Sequence, residues 1–128
     1  MKRIVLIAAS FLLLLAGCGG SGGSGLYTLE KTRACLAAKH VKLGGPLDFV
    51  ATTATGGALT ATLPTNFVTV VFGATTTDAD NINQAYRQFH AKNVGIDDVL
   101  RQDRNAVMLW HVHPSDADLA EIGSCLTS

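Results

Sequence analysis

Gly19-Gly20-Ser21-Gly22-Gly23-Ser24-Gly25 divides the chain, because seven residues of glycine and serine carry almost nothing to bury and no preference for helix or strand. Such a run is a flexible coil with a root-mean-square span of about 15 Å, from roughly 5–6 Å times the square root of its length. What can fold lies after it, from Leu26 to Ser128, and those 103 residues are enough for one domain with a single modest core. The run also satisfies G-x-S-x-G at Gly19, Ser21 and Gly23. A nucleophile elbow needs a strained strand-to-helix turn, and no predicted strand precedes this one, so no catalytic serine is read from it.

Before the linker, Lys2 and Arg3 open a 13-residue, largely apolar segment from Ile4 to Ala16. At 1.5 Å per residue it is too short for a hydrocarbon layer of roughly 30 Å, and its form is that of a signal peptide. Its last residues, Leu15-Ala16-Gly17-Cys18, resemble the lipobox of bacterial lipoproteins. The resemblance covers Met1 to Cys18 only. It implies cleavage before Cys18, a diacylglyceryl thioether on that cysteine and a further acyl group on the new N-terminus. Two or more chains, at about 0.8 kcal/mol per buried CH₂, hold a protein stably, so the membrane is the expected partner through the lipid on Cys18. A retained signal anchor or ordinary secretion are the alternatives, and the spacing suits neither well. The expected organisation is a signal peptide at 1–17, a lipidated cysteine and linker at 18–25, and a globular domain at 26–128. Gly19 stands where an aspartate commonly marks inner-membrane retention, which favours the outer membrane if the host has two membranes. In either envelope the expected location is extracytoplasmic.

Loss of Lys2 and Arg3 with the leader takes the basic count from 10 to 8 against 10 acidic residues, a net charge of −2. Nucleic acid is therefore not an expected partner. With Cys18 assigned to lipid, Cys35 and Cys125 remain, and an even pair in an exported domain reads as one disulfide, the alternative being two buried thiols. There is no C-x-x-C to suggest a redox role.

The periodicity predicts a first helix over Thr28 to Lys39, with Leu29, Thr32, Cys35 and Leu36 on one side and Gly44-Gly45-Pro46 as its stop. Three runs rich in β-branched and aromatic residues follow, at Asp48 to Ala54, Ala58 to Leu63 and Phe67 to Phe72, and read as a meander. Asp78 to Lys92 reads as a helix capped by Thr77, with Ile82, Ala85, Tyr86 and Phe89 as its buried stripe. Residues 96–105 fit either a helical turn or one arm of a hairpin through Asp103-Arg104-Asn105. Ala106 to Val112 reads as a strand, and Ser115 as the N-cap of a last helix with Leu119, Ile122 and Leu126 on its stripe. The fold class expected is α+β: an antiparallel sheet of four to five strands, the meander plus a later strand or hairpin, with about three helices packed on one face.

Chemistry concentrates in His111-Val112-His113-Pro114-Ser115-Asp116-Ala117-Asp118. Residues two apart on a strand point the same way, so His111 and His113 would converge, with Asp116, Asp118 or His90 completing a zinc or copper site. The plainer alternative has His111 packing at a strand end, His113 solvated, and the aspartates complementing a helix N-terminus. His40 is placed at the end of the first helix, where it would interact with the last carbonyls. Trp110 reads as core, and Tyr27 either packs the first helix onto the domain or meets the membrane interface. There is no P-loop, Rossmann glycine pattern, H-E-x-x-H or EF-hand loop, and no cofactor is expected. The expected function is that of a non-enzymatic binding or envelope-associated lipoprotein with an envelope protein partner. The alternative is a metal-handling lipoprotein using His111, His113 and Asp116.

Overall fold

The computed structural model describes residues 25–89 and 95–128. The predicted leader, Cys18, the linker up to Ser24 and His90 lie outside the described residues. The fold is α+β around one antiparallel sheet, with the order β1-β2-β3-β5-β4. The strands are β1 (Lys42–Leu43), β2 (Ala58–Thr62), β3 (Phe67–Phe72), β4 (Leu100–Asp103) and β5 (Ala106–Trp110). The helices among the described residues are α1 (Leu29–Ala38), α2 (Phe49–Thr52), α3 (Thr76–Phe89), α4 (Ile96–Val99) and α5 (Asp116–Gly123).

β3 occupies the middle of the sheet, paired with β2 on one side and β5 on the other. Its side chains alternate between two cores. Val68, Val70 and Phe72 join Leu36, Leu59, Met108, Trp110 and Ile122, whereas Val71 joins Val50, Ala79, Tyr86, Leu100 and Val107. A strand covered on both faces reads as a near-continuous apolar run, and Phe67-Val68-Thr69-Val70-Val71-Phe72 is one interrupted only by the buried Thr69. Helices therefore lie on both faces, α1 and α5 on one, α2 and α3 on the other, and the expectation of a single covered face is corrected. Val71, Val107 and Leu109 supply the apolar second side that the reading from β2 and β3 alternation alone did not use.

α1 begins at Thr28, whose hydroxyl accepts from the Lys31 amide, and ends earlier than Gly44-Gly45-Pro46 would have stopped it. His40 adopts φ 62°, its amide donates to the Ala37 carbonyl and that of Val41 to the Leu36 carbonyl. That is a Schellman closure with histidine in the left-handed position that usually belongs to glycine. The chain then forms the short edge strand β1, which supplies the first strand of the meander in place of Asp48 to Ala54.

Residues 49–52 are helical because Asp48 caps them, accepting from the Ala51 amide at 2.9 Å, and because the Thr52 and Thr53 hydroxyls bond the Phe49 and Val50 carbonyls. Val50 and Ala51 pack onto the second core, so tertiary contact overrides the strand preference of this β-branched run. α3 starts at Thr76 and is capped by Thr75, two residues before the predicted Thr77 cap, with the Thr75 hydroxyl accepting from the Asp78 amide. Residues 96–103 are both things the sequence allowed, the turn α4 followed by the hairpin arm β4. Gly56 is confined by its neighbour: a Cβ there would meet the Phe72 carbonyl oxygen at 2.4 Å.

Cys35 and Cys125 are at bonding distance, S–S 1.99 Å and Cα–Cα 5.4 Å, and join α1 to the segment after α5 within the first core. They close 90 residues of chain. In the chain-entropy view such a loop is worth about 4–5 kcal/mol, against a total of 5–15 kcal/mol for a typical domain. A C35S/C125S variant should therefore lose about 4 kcal/mol in urea denaturation. An unchanged unfolding midpoint would contradict that role.

Candidate functional site

β5 stops at Trp110, two residues short of the predicted strand end, because its partner there is a side chain. The His111 amide donates to the Phe67 carbonyl, and Asn66 then takes over: its Oδ1 accepts from the Phe67 and Val112 amides, and its Nδ2 donates to the Val112 carbonyl and to Asp118 Oδ2. His111 and His113 thus leave the sheet on an exposed turn rather than standing two apart on a strand. His113 Nδ1 lies 2.7 Å from Asp98 Oδ1, both side chains exposed, and Asp116 is exposed in the first turn of α5. Among the described residues no three His, Cys, Asp or Glu side chains gather around a common point. His90, offered above as a completing ligand, is outside them.

Asp118 is the buried member of this corner. Ser115 and Asp118 form a reciprocal capping box, each side chain accepting from the other's amide at 3.1 Å. Burial opposes ionisation of the Asp118 carboxyl, but the hydrogen bonds from Asn66 and Ser115 outweigh it and hold the group below its ordinary value of 3.8. A cavity of about 750 Å³ lies beside this corner, bounded by Lys39, His40, Pro64 and Glu121. Its buried carboxylate is already committed to Asn66 and Ser115, and Lys39 reaches Ser124.

At the other end of the sheet the described domain begins. The Tyr27 amide donates to Asn105 Oδ1 at 2.7 Å, and Asn105 Nδ2 donates to the Tyr27 and Gly73 carbonyls at 2.8 and 2.9 Å. The Tyr27 hydroxyl donates to Asp103, and the Arg104 guanidinium lies 5.6 Å from its ring centroid. Tyr27 is thus packed into the first core, the first of its two sequence alternatives. Trp110 is core as expected.

The surface that sequence reasoning missed lies over the second core. Phe89, assigned above to the buried stripe of α3, is 72% exposed, and Phe49 is 76% exposed. The stripe that Tyr86 fills opens at Phe89 into a cavity of about 310 Å³ lined by Asp48, Phe49, Val50, Tyr86, Phe89 and Leu109. The correction has a simple cause: α2 is four residues long, and the second core ends with it before α3 does. The Tyr86 hydroxyl donates to both Asp48 oxygens, at 2.8 and 3.1 Å. Burial first, then that carboxylate, pushes the phenol well above its ordinary ionisation range, so it remains a neutral donor. The sequence signal for the site was the placement of Phe49 and Phe89 in two segments that topology brings together, which no spacing reveals.

Comparison with known proteins finds no matching family, no matching curated protein and no matching solved structure.

The Asp118 cap supplies a pH prediction. Its folded-state value lies below the unfolded one, so its stabilisation is fully present above about pH 4 and is lost as pH falls through the folded-state value. Asp118→Asn should flatten the fall in urea midpoint between about pH 4 and 2 that the native chain shows. Identical pH profiles for the two proteins would contradict this assignment.

Proposed function

We propose that the chain is a lipid-tethered, extracytoplasmic and non-enzymatic binding module of the bacterial cell envelope. The observation that carries this is the order of segments: Lys2-Arg3, a short apolar stretch, Leu15-Ala16-Gly17-Cys18, and then a glycine and serine linker leading directly into a folded domain. Three features support it. Cysteines at bonding distance suit an oxidising compartment. Asn105 grips both backbone groups of Tyr27, so a tether would pull on a fixed point of the sheet and not on a frayed terminus. The imidazole and carboxylate of His113 and Asp98 are exposed, with no hydroxyl or thiol bonded to the pair among the described residues, unlike a nucleophile and its base.

The tether is tested by sedimentation. The native chain should pellet with membranes and remain there in high salt, whereas Cys18→Ala should lose lipid attachment, shown by loss of palmitate labelling. A Cys18→Ala chain that still incorporates palmitate overturns the proposal.

A further inference from the structure

We infer that the cavity between α2 and α3, lined by Phe49, Tyr86 and Phe89 with the carboxylate of Asp48, is a binding site for an alkylated ammonium group of the trimethylammonium type. The inference rests on the binding-module proposal and names a ligand class for it.

Two phenylalanines from different helices stand almost bare, yet they face one cavity and not bulk surface at random. A cation seated over the face of an aromatic ring is attracted by the ring's quadrupole, and Phe49, Tyr86 and Phe89 all line this cavity. Asp48 adds a negative charge, and among the described residues no lysine, arginine or histidine forms an ion pair with it. Its oxygens already accept from the Ala51 amide and the Tyr86 hydroxyl. A primary ammonium needs three acceptors to replace its water, and the remaining walls, Val50, Leu109 and the aromatic rings, offer none. An alkylated ammonium needs no acceptor: its methyl groups meet the hydrocarbon walls while its charge is balanced by Asp48. A cavity of about 310 Å³ is at the lower end of small-molecule sites, which span roughly 300–1,000 Å³.

The test is calorimetric titration of the full chain in a non-ionic detergent with choline and with 3,3-dimethylbutanol, its neutral isostere. Choline should bind with a dissociation constant of order 1 mM, and the alcohol should bind at least tenfold more weakly. Phe49→Ala and Phe89→Ala should each weaken choline binding about threefold, and Asp48→Asn, which keeps a capping side chain on α2, about tenfold. Both phenylalanines are exposed, so the melting temperature of those variants should not move and serves as the folding control. Glycerophosphocholine, which stays in the aqueous phase, separates the sources: tighter binding than choline marks a lipid headgroup, weaker binding a free solute. Equal binding of choline and the alcohol, or no binding of choline, overturns the site. Membrane sedimentation of the same chain is read alongside, so failure of the ligand is distinguished from failure of the tether.

Discussion

The burial of β3 on both faces is the constraint from which the rest of the structure follows. Val68, Val70, Val71 and Phe72 are almost wholly removed from water, at about 1.5–3 kcal/mol for each side chain of this kind. Neither set can be sacrificed, so the sheet needs a layer on each side. α1 and α5, with Cys35 of α1 bonded to Cys125 just after α5, cover the first face thoroughly. The second face has α3 and the single turn of α2, and that uneven supply leaves a concave gap lined by aromatic rings where the first face has a filled core.

Two asparagines end the sheet. Asn66 stands in for a strand partner where β5 leaves β3, and Asn105 does the same where the chain enters beside Gly73. Each is buried, and each bonds both its oxygen and its nitrogen. Replacing either by an apolar residue would leave several backbone groups without partners, at about 1–3 kcal/mol for each group left buried. Their positions also define the poles of the domain: the histidine turn and the α5 cap at one, Tyr27 and the β4–β5 turn at the other.

Much of the fold was legible because the sequence states it locally. Ser115 announces a helix start by capping, β2 alternates with period two, and β3 is a β-branched and aromatic run set off from it by turn residues. The misreadings share one cause, a local signal overruled by a distant partner. Residues 48–54 have strand composition, but Asp48 is held by Tyr86, 38 positions away, and the segment winds into a turn. Phe89 has the right spacing for a buried stripe, yet nothing in the spacing says that the opposing element ends first. His40 shows the reverse case: a left-handed residue that is not glycine closes α1, so the expected glycine stop came too late. The cysteine pairing was legible by arithmetic, whereas the aromatic cavity, assembled from residues 40 positions apart, was not.

The proposed tether at one pole and the aromatic cavity over the second face would suit a module that waits at a membrane for a small cationic group. Everything about where it waits depends on the chemistry of Cys18. The most direct measurement is the mass of the N-terminal peptide from chain isolated with bacterial membranes. The account predicts a chain that begins at Cys18 and carries a diacylglyceryl group. A chain cut elsewhere, or one with an unmodified Cys18, would contradict it.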